Sequence, residues 1–132
     1  MRKLTLTATA ALAAMLVSGT ALAGKDLDSI KSRGALICGV PTGIPGFAQP
    51  DNQGKYTGFD VDICRAISAA VFGDPEKVKY VPLTAQQRFT ALQSGEVDIL
   101  SNNTTMTLQR DTALGLDFTA ITYYDGLSLI HI

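Results

Sequence analysis

Histidine and cysteine are scarce in this sequence: 132 residues contain one histidine, His131, and two cysteines, Cys38 and Cys64. The cysteine spacing matches no zinc pattern, and with a single histidine the composition leaves carboxylates as the available catalytic bases. A run of about 20 strongly apolar residues, which a membrane-spanning helix requires, is also missing. The most apolar segment lies at the N-terminus, and Thr5, Thr7, Thr9, Ser18, Gly19 and Thr20 dilute it. Arg2 and Lys3 precede that segment, and Ala21-Leu22-Ala23 close it with the small-x-small pattern that a signal peptidase accepts. Residues 1–23 therefore read as a cleaved secretory signal. No cysteine follows directly on the cleavage site, so a lipid anchor is not indicated. Excess positive charge is lacking too. Removing Arg2 and Lys3 from the 11 basic residues leaves 9 against 12 acidic, a net charge near −3, which speaks against nucleic acid as a partner.

The exported chain would begin at Gly24, and its length of about 109 residues suits one small domain. Export permits oxidation, so Cys38 and Cys64 are candidates for one disulfide; two buried free thiols are the alternative. With 25 residues between them, a bridge would add about 3 kcal/mol by the chain-entropy model.

Local patterns order the rest. Ala35 to Val40 (ALICGV) is a short apolar run between Gly34 and Pro41 and reads as a buried strand. Residues 41–58 hold three prolines and four glycines, too many for regular structure, and a loop of this length in a compact domain is usually functional. Asp60 is placed to cap a helix whose buried face is Ile63, Ala66, Ile67, Ala70 and Val71, ending at Gly73-Asp74-Pro75. Asp62 shares that helix start, and both carboxylates read as capping and dipole partners rather than ligand contacts. Val78 to Val81 predicts a strand stopping at Pro82. Thr84 with Gln87 makes a capping-box signature for a helix over 85–94, with Phe89 and Leu92 on its apolar face and Gly95 at its end. Val97 to Ser101 predicts a third strand, and Thr107 starts a short helix reaching Leu114.

Strand, helix, strand, helix, strand argues for an α/β layer with a mostly parallel sheet. Ligands gather at the carboxyl ends of such strands, so the loop after Val40 and the stretch after Ser101 are expected to face one cavity. That second stretch, SNNTTMTLQRD, crowds short hydroxyl and amide side chains ahead of Arg110. A guanidinium offers a planar fork that matches a carboxylate, and a helix N-terminus adds free N–H groups and a favourable dipole. Thr105 and Arg110 are therefore candidates to hold one small anion; the plainer reading is a solvated turn followed by a surface arginine.

Three clusters carry a resemblance: Gly58-Phe59-Asp60-Val61-Asp62, the run RFTALQSGEVD from Arg88 to Asp98, and Thr107-Leu108-Gln109-Arg110 ahead of Leu116-Asp117-Phe118-Thr119. From about Ile30 to Gly126 the chain resembles the extracellular solute-binding proteins, family 3, that serve ABC importers of polar amino acids. CGVPTGIPGF, DICRAI, SNNTT and TYYDG resemble its general L-amino-acid-binding branch. The resemblance implies a periplasmic-binding-protein-like (type II) α/β lobe, periplasmic and monomeric, that captures an L-amino acid and delivers it to the membrane permease subunits without catalysis, cofactor or metal. It implies that Arg110 clamps the ligand α-carboxylate, that Thr105 assists, that the Asn103 backbone carbonyl meets the α-ammonium, and that Phe47 packs on the ligand. Met106 departs from the bulky aromatic found in related sequences. An enzyme on the same scaffold, such as a cyclohexadienyl-dehydratase-like protein or part of a cell-wall lytic enzyme, and a sensor input domain are the competing expectations.

Beyond Gly126 the family continues through a glycine-containing strand into a hinge and a second lobe. Residues 127–132 read LSLIHI instead. They back-translate as CTG TCT CTT ATA CAC ATC, which resembles a transposon-end adapter. The expectation is an incomplete first lobe over 24–126 and a non-native tail over 127–132, carrying half of a two-lobed site. Some first-lobe core would then be exposed, predicting poor stability or aggregation in isolation.

Overall fold

The computed structural model describes residues 24–125. The expected signal at 1–23 and the tail at 127–132 lie outside the described residues. Helix α1 (Gly24–Arg33) belongs to a unit of its own, distinct from the unit that begins at Gly34. Asp26 in its first turn and Lys31 and Arg33 in its last turn complement the helix dipole. This helix went unpredicted, since its few apolar residues give little periodicity.

The second unit is built on a three-stranded parallel sheet. Strand β1 (Leu36–Pro41) is central. After it come a small antiparallel pair, β2 (Gln49–Pro50) and β3 (Tyr56–Thr57), then helix α2 (Phe59–Phe72) and strand β4 (Val78–Leu83). Helix α3 (Arg88–Gln93), strand β5 (Ile99–Leu100) and helix α4 (Leu108–Thr112) complete the order. The sheet runs β4-β1-β5, with Leu36 opposite Val78 and Cys38 opposite Ile99.

Alternation along β1 divides the core between the two faces of the sheet. Cys38 and Val40 pack with Ala48, Val61 and Cys64. Ile37 packs instead on the cluster of Leu83, Ala91 and Val97. Cys38 and Cys64 are bonded, with Cα atoms 6.2 Å apart, so the disulfide ties the central strand to α2.

That tie explains the first correction to the sequence reading. The buried residues of α2 are Asp60, Val61, Cys64 and Ser68; Ile63, Ile67 and Val71 are half-buried, and Ala66 and Ala70 are exposed. Cys64 must face β1, so the helix is rotated away from its most apolar stripe. Asp60 is not a cap either. The helix opens from Gly58 with no side-chain cap, which places Asp60 one residue inside the helix and turns its carboxylate inward.

Several boundaries also differ, and helix α4 ends at Thr112 rather than at Leu114. Pro82 lies within β4 rather than after it, which is tolerated because β4 is an edge strand. Helix α3 begins at Arg88: the Gln87 side chain accepts from the Thr84 N–H at 3.4 Å, one half of the expected capping box, and also from the Thr84 hydroxyl at 2.8 Å, so that hydroxyl closes a turn rather than capping the helix. The third strand shortens to Ile99–Leu100. The 41–58 loop is more regular than its prolines and glycines suggest. Asp51 Oδ1 accepts from the N–H groups of Gln53 and Lys55 at 2.8 and 2.9 Å and so turns the chain between β2 and β3.

Candidate functional site

Because β1 and β5 are parallel neighbours, both release their chain at the same edge, and the Ser101 N–H donates to the Gly39 carbonyl at 3.0 Å. The loop after Val40 and the step after Ser101 are thus adjacent, as the strand order implied. A cavity of about 300 Å³ on the α3 side is lined by Leu83, Gln86, Gln87, Thr90, Ala91 and Glu96. None of the expected site residues lines it.

Two of those residues meet directly. Arg110 Nη1 donates to the Thr105 carbonyl at 2.5 Å, and its guanidinium carbon lies 5.2 Å from the centre of the Phe89 ring. Among the described residues Arg110 makes no ion pair. Its remaining N–H groups stay available to a planar anion such as a carboxylate. The helix N-terminus contributes less than expected. Helix α4 has five residues, and the Arg110 and Asp111 N–H groups already donate to the Thr107 carbonyl at 3.0 Å. Thr107 is the N-cap, its hydroxyl accepting from the Arg110 N–H at 3.3 Å. The guanidinium, not the dipole, is the anion-seeking group.

Asn103 is held by a residue that had no role in the sequence reading. Arg88, buried at the start of α3, donates from Nη1 to the Asn103 carbonyl at 3.2 Å and to Asn102 Oδ1 at 3.3 Å. Its guanidinium carbon lies 5.0 Å from the Phe89 ring centre, so Phe89 touches both arginines. Burial lowers the Arg88 pKa, and the Arg110 charge lowers it further. The available signal was that Arg88 and Ala91 sit three apart on one helix face; Phe89 and Leu92, the more apolar pair, drew the face to themselves.

Asp60 closes the floor of this edge. Ser101 Oγ donates to Asp60 Oδ1 at 3.4 Å, with both residues buried. Desolvation raises the Asp60 pKa, and the Ser101 hydrogen bond opposes the shift. Among the described residues, Asp60 Oδ2, Arg88 Nε, Asn102 Nδ2 and Thr104 Oγ1 are buried without a hydrogen-bond partner. Unmet polar groups cost free energy, and these four belong to the 101–104 step or to residues that contact it.

Phe47 packs with other aromatic rings. Its ring packs edge-on against Phe59 at 6.2 Å and Tyr123 at 5.2 Å, and Phe59 and Tyr123 lie 6.2 Å apart. The aromatic ring beside Arg110 is that of Phe89. Met106, at the position where an aromatic was expected, is exposed. Among the described residues no group of three His, Cys, Asp or Glu side chains is set to hold a metal, and no helix is long and apolar enough to cross a membrane.

Comparison with known proteins gives a consistent setting. The glutamate/glutamine/aspartate/asparagine-binding protein BztA of Rhodobacter capsulatus is 61% identical over 86% of this chain and 33% of its own length. The general L-amino acid-binding periplasmic protein AapJ of Rhizobium johnstonii is 53% identical over 96% of this chain and 37% of its own. This chain therefore spans about a third of the length of these relatives. A periplasmic binding protein of an ABC transporter from Brucella ovis, solved with glutathione bound, superposes with a TM-score of 0.75 at 62% identity over 76% of this chain and 31% of that one. A profile of the bacterial extracellular solute-binding proteins, family 3, matches residues 36–131. The parallel sheet is thus the framework of a known family, and the chain belongs to the bacterial extracellular solute-binding proteins of family 3.

Proposed function

We propose that this chain carries the first lobe of a periplasmic substrate-binding component that captures L-amino acids and hands them to the permease subunits of an ABC importer. The observation that carries the reading is the Arg110 guanidinium, braced by the Thr105 carbonyl and the Phe89 ring with its remaining N–H groups uncommitted. A bidentate carboxylate contact fits that fork. In this reading Thr105 completes the α-carboxylate site, the Asn103 carbonyl meets the α-ammonium, and Phe47, with Phe59 and Tyr123, supplies apolar surface to one side. Two relatives named for amino-acid binding and a neighbour holding glutathione, which has a free α-amino-acid end, support the ligand class. Residues 1–23 act as the export signal, residues 24–126 belong to the lobe, and a second lobe closes on the ligand in the intact protein. The ligand leaves unchanged, and the binding protein acts as a monomer without cofactor.

Calorimetry of the intact, unliganded protein against a panel of L-amino acids tests this. Binding by the wild type and a loss of about 100-fold in Arg110→Ala are expected, the size of a charged bidentate contact. Equal affinity in Arg110→Ala would remove the assignment, and turnover of a prephenate-like substrate would favour the enzyme reading.

A further inference from the structure

Helix α3 touches the polar edge at three points. Arg88 at its start reaches the Asn103 carbonyl and the Asn102 side chain, Phe89 lies beside Arg110, and Gln93 Nε2 donates to the Leu114 carbonyl at 2.8 Å. One short helix therefore holds both ends and the middle of residues 102–114.

The chemistry at Arg88 is costly as a packing solution. A guanidinium is buried, makes no ion pair among the described residues, leaves Nε unpartnered and stands near a second positive charge. An apolar side chain of similar length would fill the space without desolvating a charge. What an apolar residue cannot do is hold two acceptors on consecutive residues with one planar donor group.

We propose that Arg88 is a positioning residue of the ligand site: it fixes the Asn102–Asn103 step while Phe89, its neighbour in α3, fixes Arg110, so that the two expected ligand contacts keep a set separation. The proposal rests on the reading of Asn103 and Arg110 as contacts for ammonium and carboxylate. Arg88 acts through those residues and not on the ligand.

Two measurements on Arg88→Met and Arg88→Lys test it. In amide hydrogen exchange, which needs no ligand, the Met variant is expected to exchange about tenfold faster at Thr104, whose N–H donates to the Asn102 carbonyl, the scale of one lost charge-assisted hydrogen bond, while Arg110 and, in β1, Cys38 and Val40 are unchanged. In the intact protein, L-glutamine binding is expected to weaken about tenfold more than binding of 4-carbamoylbutanoate, the same molecule without its ammonium. The lysine variant, with the charge but not the planar fork, is expected to restore neither. Unchanged exchange at Thr104, a uniform rise that includes β1, or full rescue by lysine would each overturn the proposal. If the wild type binds no L-amino acid while the exchange pattern appears as expected, the functional reading falls and the positioning role stands.

Discussion

The Ser101 hydroxyl donates to the Asp60 carboxylate at 3.4 Å across 41 positions of sequence, joining the end of β5 to the first turn of α2 beneath the polar edge. Burial holds the Asp60 pKa above the ordinary aspartate range, and the hydrogen bond only partly offsets it. The folded chain thus holds this proton more tightly than the unfolded chain. Stability from this group rises as pH falls from above the raised pKa toward the ordinary aspartate value, and levels off below it. Asp60→Asn removes the titration. The expected result is that wild type gains on Asp60→Asn in Tm as pH is lowered from about 7 to about 4; a pH-independent difference would sink this account of Asp60.

The disulfide is the second test. It closes a loop between residues 26 apart and joins the centre of the sheet to α2. Replacing both cysteines by alanine is expected to cost about 3 kcal/mol, a fall in Tm of about 10 to 20 °C for a domain of this size. Thermal melts with and without reductant check this independently, since reductant should lower the Tm of the wild type and leave the double variant unmoved.

Gly58 provides the third. Its φ is 127°, and a Cβ there would overlap the Phe47 carbonyl. That carbonyl accepts from the Asp60 N–H, and the Gly46 carbonyl accepts from the Phe59 N–H, both at 2.9 Å. Gly58→Ala is therefore expected to destabilise the chain by about 1 to 3 kcal/mol and to speed exchange at the Phe59 and Asp60 amides. Protection of those amides equal to the wild type would show that the loop and helix can part without cost.

The legible part of the fold was the part written in short-range pattern. Ala35 to Val40 reads as a strand because an apolar run between Gly34 and Pro41 has few other solutions, and the structure places β1 at Leu36–Pro41. Gly73 ends α2 as expected, adopting the left-handed conformation with φ 70°. Thr107 caps α4 for an equally local reason. The sequence brought Arg110 and Thr105 together as candidates because they lie five positions apart in one segment, and in the structure the Arg110 guanidinium meets the Thr105 carbonyl. Arg88 was not, because its partners lie 14 and 15 residues away in another element.

By itself the sequence determined the alternation of strands and helices in the second unit, the cap at Thr107, the stop at Gly73, and the polar stretch leading to Arg110, since each follows from the chemistry of a few adjacent residues. The tertiary structure decided which groups those elements bury. Bonding Cys64 to Cys38 turned α2 so that Asp60, Val61 and Ser68 face inward while Ala66 and Ala70 stay exposed. The edge position of β4 admitted Pro82, and packing of α3 buried Arg88 against the Asn103 carbonyl. Burial is a property of pairs of surfaces, and neither surface of a pair is specified until the other has been placed against it.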